Sequence, residues 1–336
     1  MIELRDVQKH YPLQAGFFAR QFDKVYAVNG VSLRIEHGEI YGLVGESGCG
    51  KTTTARLLVR MERLTHGEIR FRSRDGEEFR LSQIDHSRLK LLRSRIRYIF
   101  QDPARSLNPR MSIREVLLSG YRYAPRWPGR APAEAEARAL IQEVGLNVGD
   151  LDRRPADFSG GQRQRISIAR ALITQPEVLI CDEVVSALDV SIQGQILNLL
   201  LRIREERGLT MVFIAHDLAV VGYVSDRIGV MYRGVLVEEA PARQLMKSRH
   251  HPYTEYLFDA LPTLVGGDAR GGDARGGGDS GGTAGGDRPA GAQPGSVADS
   301  LFARRADATE NPVDRPEMLL MDEIGPGHRV SRMFRE

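Results

Sequence analysis

Short apolar, β-branched runs alternate along the first 265 positions with longer segments in which apolar residues recur at helical spacing. The runs include VSLRI, EIYGLVG, EVLICDE and TMVFIAH, and the clearest helical segment is IQGQILNLLLRIREE. Runs of the first kind are typical of buried strands, and the second pattern is typical of amphipathic helices. Their alternation predicts an α/β fold with a largely parallel sheet that helices cover on both faces.

This pattern ends near residue 265. Residues 266–300 hold 13 of the 35 glycines and almost nothing to bury, which predicts a flexible linker. Residues 301–336 regain some apolar positions in PEMLLMDEIGPGHRV, which predict a short strand or helix that docks back. We therefore expect a folded domain over 1–265, a linker over 266–300 and a C-terminal tail over 301–336.

Composition and charge say more about the compartment in which the protein works than about the reaction that it carries out. The 336 residues carry a formal net charge of +3, so charge favours nucleic acid no more than any other partner. The two cysteines, Cys49 and Cys181, lie outside any CxxC or Cys/His cluster, which argues against disulfides and zinc and fits a reducing cytoplasm. The sequence has neither a leader pattern nor an apolar run of about 18 residues, so we expect no secretion and no membrane span.

The segment GLVGESGCGKTTTARLL matches the phosphate-binding pattern G-x-x-x-x-G-K-[ST]. It follows an apolar strand and opens a helix, the context in which the pattern indicates a P-loop rather than a glycine-rich turn that binds nothing. Backbone N–H groups of such a loop surround the β-phosphate, its lysine reaches the β and γ oxygens, and the next hydroxyl binds Mg²⁺. The predicted nucleotide-binding residues here are Gly45, Glu46, Ser47, Gly48, Cys49, Gly50, Lys51, Thr52 and Thr53.

A predicted buried strand over 178–181 ends in two adjacent carboxylates, Asp182 and Glu183. By itself such a pair is more often a solvated turn. Downstream of a P-loop it predicts two roles: Asp182 holds Mg²⁺ through water, and Glu183 orients or deprotonates the attacking water.

The segment FSGGQRQRIS, residues 158–167, has the features of only half a phosphate site. Glycines and hydroxyls precede a helix, but the segment has no lysine for a phosphate and no acid for a metal. A lone SGG is commonly a glycine cap and a turn. Combined with the P-loop and the CDE sequence, however, it makes residues 1 to about 262 resemble the nucleotide-binding subunits of ABC transporters, whose signature reads LSGGQ.

This resemblance implies an α/β P-loop NTPase of the ABC ATPase type, with a parallel-sheet core, an antiparallel β subdomain and a helical signature subdomain at about 102–167. It also implies that ATP and Mg²⁺ are the cofactors and that two subunits share their ATP sites. Ser159, Gly160, Gly161 and Gln162 would contact the γ-phosphate of ATP held by the P-loop of a second subunit. The positive end of the following helix would point at that phosphate.

Further motifs resemble those of the family. Gln101 in YIFQDPARSLNPRM resembles the Q-loop glutamine, which approaches Mg²⁺ and the γ-phosphate while its loop touches the membrane subunit. SALD, Ser186 to Asp189, resembles the D-loop at the dimer interface, and His216 resembles the switch histidine that contacts the γ-phosphate. Tyr11 resembles the aromatic residue that stacks on adenine. Without this context the histidine would be a packed or capping residue, and the tyrosine a core aromatic.

Several segments resemble the peptide/nickel importer branch of the family, among them FQDPARSLNPRM and HHPYTEYLFDALP. SLNPRM and the insertion after HYP resemble the second ATPase subunit of that branch. This implies a peripheral subunit on the cytoplasmic face of the bacterial inner membrane that powers uptake of oligopeptides or dipeptides. Its partners would be a second, non-identical ATP-binding subunit, two integral membrane permease subunits and a periplasmic or extracellular substrate-binding protein, with no nucleic acid.

Other functions stay open at this point. The same branch also moves nickel, opine-like compounds and oligosaccharides, and the ATPase subunits never touch the cargo. ABC proteins that act on ribosomes or DNA usually duplicate the cassette or insert a long coiled coil, and an exporter half has a fused membrane span. The sequence shows none of these features, which disfavours both classes.

The C-terminal region departs from the branch in one respect. Many relatives carry a cysteine-rich segment before a PGH ending, whereas this chain keeps GPGHRV without the cysteines, so an iron–sulfur cluster is not expected. Val184 replaces the proline common in DEP, with a mild effect expected. Because a glycine-rich segment adds nothing to a core, we expect a chain that ends at Pro262 to keep its ATP binding.

Overall fold

A computed structural model describes residues 1–12, 24–124, 127–259 and 320–332. Over these ranges the chain forms a large mixed sheet, a smaller antiparallel sheet and helices that cover them. The predicted linker at 266–300 lies outside the described residues.

The elements are numbered in chain order. The strands are β1 (Ile2–Pro12), β2 (Lys24–Ile35), β3 (Ile40–Val44), β4 (His66–Arg72), β5 (Glu78–Arg80), β6 (Ile96–Ile99), β7 (Val178–Asp182), β8 (Thr210–Ile214), β9 (Arg227–Tyr232), β10 (Val235–Pro241), β11 (Met321–Gly325) and β12 (His328–Ser331). The α-helices are α1 (Lys51–Leu58), α2 (His86–Arg95), α3 (Pro103–Ser106), α4 (Ile113–Leu118), α5 (Arg130–Glu143), α6 (Gly160–Leu172), α7 (Val190–Arg207), α8 (Leu218–Val224), α9 (Ala242–Leu245) and α10 (Pro252–Asp259). Among the residues described, no helix combines the length and the apolar character needed to cross a membrane.

The main sheet has the strand order β11-β12-β10-β9-β3-β8-β7-β6. Strands β9, β3, β8, β7 and β6 run parallel, and β10, β12 and β11 extend the sheet with antiparallel pairs. Every residue of β3, β7 and β8 is buried, as expected for parallel strands that are covered on both faces. The structure thus confirms the predicted α/β fold with a parallel core.

Both faces of the main sheet pack against apolar layers. Along β8, Met211 and Phe213 belong to the cluster that includes the helices, whereas Val212 and Ile214 belong to the cluster that includes the antiparallel sheet. This alternation follows from the two-residue period of a strand. Packing on both faces fixes the carboxyl ends of the neighbouring strands β3, β8 and β7, where the candidate site lies.

The two smaller predicted subdomains are also present. Strands β2, β1, β4 and β5 form the antiparallel sheet, with Tyr11 of β1 paired to Val25 of β2. Helices α3 to α6 and three short 3₁₀ turns, Ser119–Tyr123, Val148–Asp152 and Pro155–Asp157, form the helical part. Helix α6 continues to Leu172, beyond the expected limit near 167, because its later apolar residues pack into the core.

Residues 320–332 form a hairpin of β11 and β12 that extends the main sheet. Strand β12 pairs with β10 at Glu238 and Glu239, two carboxylates that are fully buried. The expectation that a chain ending at Pro262 keeps its ATP binding therefore needs revision. Such a chain would lose β12, which supplies His328 as a partner to Glu238 and Arg329 as a partner to Glu239, and removing one partner of a buried charge is destabilising.

Candidate ATP-hydrolysis site

The loop between β3 and α1 lies so close to neighbouring backbone that side chains would collide at two of its glycines. Gly45 has φ 145° and Gly50 has φ 110°, a region that favours glycine. A Cβ atom on Gly45 would lie 2.2 Å from the carbonyl oxygen of Met231, and one on Gly50 would lie 2.2 Å from that of Ala27. The loop is therefore held against β9 and β2 before α1 begins.

Lys51, the first residue of α1, is only 4% exposed, and its ammonium group bends back over the loop. Its Nζ atom donates hydrogen bonds to the carbonyl oxygens of Gly45, at 2.6 Å, and Glu46, at 2.8 Å. These bonds keep a positive charge beside the backbone N–H groups at the start of α1. A phosphate that enters the loop would meet both kinds of donor.

Two oxygen atoms suited to magnesium face each other between α1 and the end of β7. The Thr52 hydroxyl lies 3.2 Å from Oδ1 of Asp182, and the Tyr98 hydroxyl donates a hydrogen bond to Oδ2. Burial, followed by the charge of Asp182, raises the pKa of Tyr98, so this hydroxyl stays a donor that orients the carboxylate. Hydroxyl and carboxylate oxygens are the hard ligands that Mg²⁺ takes, and these residues fit the predicted cation.

Glu183 has a strained backbone conformation, and its carboxylate lines the same space. Its φ of 51° is uncommon for a residue other than glycine, and its N–H donates a hydrogen bond to the carbonyl of Ile214 in β8, at 2.9 Å. Gln101 Nε2 donates a hydrogen bond to Oε2 of Glu183, and His216 Nε2 pairs with Oε1. Three segments far apart in the sequence thus meet at one carboxylate.

A cavity of about 270 Å³ joins these groups. It is lined by Ser47, Gly48, Gly50, Lys51, Thr52, Thr53, Gln101, Glu183 and His216. The loop amides and the lysine provide positive potential, and Glu183, Gln101 and His216 provide a carboxylate, an amide and an imidazole. This arrangement suits the phosphates of a nucleotide together with a water that attacks them.

Tyr11, the residue expected to stack on adenine, lies beside the rim of this cavity. Its hydroxyl lies near Thr53 and Glu62, and the Lys9 ammonium lies 4.6 Å from the centre of its ring. Burial, followed by the charge of Glu62, raises the pKa of Tyr11. The ring is therefore a neutral aromatic surface fixed next to α1.

Among the described residues, those of the signature do not line the cavity around Lys51. They begin α6 in the helical part, where Ser159 and Gln162 form a capping box. The Ser159 N–H donates to Oε1 of Gln162 at 2.9 Å, and the Gln162 N–H donates to Oγ of Ser159 at 3.4 Å. Both residues are exposed. The half-site recognised in the sequence thus remains a half-site within one chain.

The signature shares its surface with the predicted D-loop. A Cβ on Gly161 would lie 2.6 Å from Cγ2 of Ile192 in the first turn of α7, and one on Gly160 would lie 3.7 Å from Leu188. Asp189 is exposed and forms the N-cap of α7. The two motifs are therefore presented together at one surface.

Two tyrosines that the sequence analysis did not single out touch the site. Tyr98 donates to Asp182, as described above, and the Tyr253 hydroxyl accepts a hydrogen bond from the Glu46 N–H at 3.1 Å. The alternation in IRYIF is typical of a strand, but no local signal identifies the strand beside it. Tyr253 lies in HHPYT, which stood out only as a mark of the importer branch.

Comparisons with known proteins find close relatives. The family model described as "ABC transporter" matches residues 28–186. The chain is 44% identical over 263 residues to the oligopeptide transport ATP-binding protein AppF of Bacillus subtilis (strain 168), covering 78% of each chain. It is 42% identical over 268 residues to the probable D,D-dipeptide transport ATP-binding protein DdpF of Escherichia coli (strain K12), covering 79% of this chain and 80% of that one.

Solved structures are also similar. One is the dimeric structure of a post-hydrolysis state of the ATP-binding cassette MJ0796 bound to ADP and Pi, with a TM-score of 0.62 and 28% identity, covering 72% of this chain and 99% of that one. Another is the dimeric structure of MJ0796, a bacterial ABC transporter cassette, with a TM-score of 0.62, 29% identity and the same coverage.

Proposed function

The chain belongs to the ABC transporter family, and from this premise we propose that it hydrolyses ATP to power uptake of oligopeptides or dipeptides through a membrane permease. The observation that carries the proposal is the cavity in which Lys51, Glu183 and His216 converge. Relatives named for oligopeptide and dipeptide transport support the peptide cargo.

Each residue of the site has its own role in hydrolysis. Lys51 offsets the negative charge on the β and γ oxygens of ATP. The Glu183 carboxylate, fixed between Gln101 and His216, orients a water and accepts its proton during attack on the γ-phosphorus. Thr52 and Asp182 would hold a magnesium ion, which when bound neutralises further charge on the phosphates.

The exposed signature supports an ATP site shared by two cassettes. Both similar solved structures are described as dimeric. We propose that Ser159 and Gly160 of this chain close over ATP on the partner's P-loop, while the partner's signature closes over Lys51. We also propose that the partner is a second, non-identical ATP-binding subunit.

A groove beside Gln101 suits a cytoplasmic helix of the permease. Phe100 is 38% exposed and Met61 47% exposed, and both line this groove together with Arg93 and Arg97. Because Phe100 directly precedes Gln101, a helix seated against it would move the glutamine that contacts Glu183. This contact would place the chain at the cytoplasmic face of the membrane.

Replacing Phe100 with aspartate is expected to weaken association with the permease at least about tenfold, because a charge replaces an aromatic anchor at an interface. The ATP affinity of the isolated chain should not change. Quantitative pull-down with detergent-solubilised permease tests this. The control is Leu320→Asp, the same kind of change at a residue 52% exposed outside the groove. Equal association of wild type and Phe100→Asp would contradict the docking site.

Replacing Lys51 with alanine is expected to weaken ATP affinity about 10- to 100-fold, because the phosphates lose a charged hydrogen-bond donor while the loop amides remain. Titration of the isolated chain with a fluorescent ATP analogue measures this. Lys90→Ala, an exposed lysine on α2, is the control. If the two variants bound equally well, the cavity would not be the ATP site.

Reconstitution tests the function as a whole. The chain would be combined in proteoliposomes with a peptide permease, a second ATPase subunit and a substrate-binding protein. We expect ATP-dependent uptake of labelled dipeptides or oligopeptides. Uptake of nickel or an oligosaccharide without peptide would contradict the cargo, and the absence of ATP hydrolysis would overturn the proposal.

A further inference from the structure

Helix α10, close to the end of the folded domain, contacts the P-loop through a tyrosine hydroxyl. Tyr253 is fully buried, and its ring centre lies 4.4 Å from that of Tyr232. Its hydroxyl oxygen accepts a hydrogen bond from the Glu46 N–H at 3.1 Å. Burial raises the pKa of Tyr253, so the group stays a neutral hydroxyl.

This hydrogen bond acts on the peptide unit to which Lys51 binds. The carbonyl of Gly45 and the N–H of Glu46 belong to the same peptide plane. The Lys51 ammonium donates to that carbonyl at 2.6 Å, and the N–H on the opposite edge donates to Tyr253. A carbonyl polarised by a cation makes its N–H a better donor, so the two bonds strengthen each other. Tyr253 therefore sets the orientation of the peptide that positions Lys51.

Helix α10 is in turn held by a buried carboxylate on β10. The N–H groups of His250 and His251, just before the helix, donate to Oε1 and Oε2 of Glu238 at 3.1 and 3.2 Å. Glu238 is fully buried. A negative charge at the start of a helix is favourable, but a buried one also needs a partner.

The C-terminal hairpin supplies that partner. Nε2 of His328, in β12, lies 2.7 Å from Oε1 of Glu238, and both side chains are fully buried. The amide of Gln244 lies 2.9 Å from Nδ1 of the same ring. An imidazole with its proton on Nε2 satisfies both contacts, since Nε2 donates to the carboxylate and Nδ1 accepts from the amide.

We propose that Tyr253 is a positioning residue of the P-loop and that the C-terminal hairpin holds it in place through His328 and Glu238. The hairpin thus belongs to the machinery that binds ATP, although it lies about 270 positions after the P-loop in the sequence. This inference rests on the proposed function, because it assumes that the P-loop binds ATP.

The first test compares two Tyr→Phe changes in the full-length chain. Tyr253→Phe keeps the ring and leaves the Glu46 N–H without this acceptor, so it should raise the Kd and KM for ATP about tenfold. The kcat should stay within about twofold, because the loop binds the phosphates equally well in the ground state and in the transition state. Tyr41→Phe removes an equally buried hydroxyl, which donates to Glu239 instead. It should lower the melting temperature and leave KM unchanged.

The second test examines the hairpin. His328→Ala should raise KM in the same direction as Tyr253→Phe, and His328→Gln, which restores a donor, should recover part of the loss. The double variant Tyr253→Phe/His328→Ala should raise KM by less than the product of the two single increases, because His328 acts on the P-loop through Tyr253. If His328→Ala lowers only the melting temperature and leaves KM unchanged, the role of the hairpin is overturned.

Binding of ATP to the wild-type chain separates a failure of the proposed function from a failure of the positioning role of Tyr253. A wild-type chain that binds no ATP would overturn the proposed function. A wild-type chain that binds ATP, with Tyr253→Phe binding equally well, would overturn only the positioning role of Tyr253.

Discussion

Replacing Glu183 with glutamine is expected to slow ATP cleavage about 10²- to 10⁴-fold, the range typical of a lost general base. The amide matches the carboxylate in shape, so the contacts to Gln101 and His216 need little rearrangement, but it accepts a proton far less readily. ATP binding should stay within about twofold of wild type, because Lys51 and the loop amides, which would hold the phosphates, are unchanged. Single-turnover hydrolysis and nucleotide titration on the same preparation measure the two quantities separately.

The matched control for this change lies on an exposed face of α7. Glu206 is 56% exposed and forms only a loose pair with Arg202 at 4.0 Å, so Glu206→Gln makes the same chemical change without touching the site. We expect it to cleave ATP like wild type. A Glu183→Gln chain that could no longer bind nucleotide would show that Glu183 helps to bind the phosphates and is not the general base.

The parallel core could be predicted from the sequence because its signals are local. EVLICDE became β7 and TMVFIAH became β8, and their residues are buried throughout, since parallel strands covered on both faces must be apolar at every position. The P-loop was equally visible, because its glycines and lysine must be close in sequence to form one loop. The meeting of Gln101, Glu183 and His216 came instead from the family resemblance, since their spacing carries no geometric information.

Strand β10 shows what could not be predicted. Adjacent carboxylates normally indicate a solvated surface, yet Glu238 and Glu239 are fully buried. Neighbouring residues of a strand face opposite sides of the sheet, so the two carboxylates have different partners. Glu238 pairs with His328, 90 positions away, and Glu239 accepts a hydrogen bond from the Tyr41 hydroxyl, 198 positions away. Pairing at such separations leaves no periodic signal, so both the hairpin and the role of Tyr253 required the structure.

Replacing Gly160 with aspartate is expected to lower turnover at the partner's ATP site by more than about 10²- to 10³-fold, because the added side chain keeps the backbone N–H of this position away from the phosphate, and the loss of one preorganised donor typically costs that much. The new carboxylate would also repel the γ-phosphate of the partner's ATP. The fold should tolerate the change, because the nearest atom to a Cβ at this position is Cδ2 of Leu188, at 3.7 Å. Gly161 is a poorer choice, since a Cβ there would lie 2.6 Å from Ile192. Gly149→Asp, in the same helical part and with no atom within 4 Å of an added Cβ, is the control.

The decisive measurement assigns turnover to one site at a time. When this chain also carries Glu183→Gln, the remaining hydrolysis of the pair comes from the partner's P-loop, and Gly160→Asp should remove it. When the partner's corresponding glutamate is changed instead, the remaining hydrolysis comes from Lys51 and Glu183 of this chain, and Gly160→Asp should leave it near its starting rate. ATP affinity of the isolated chain should be unchanged in both cases, because the signature does not line the cavity around Lys51 among the residues described. If Gly160→Asp removed turnover at this chain's own site and spared turnover at the partner's site, the signature would act within one chain. The proposal that two chains share each ATP site would then be wrong.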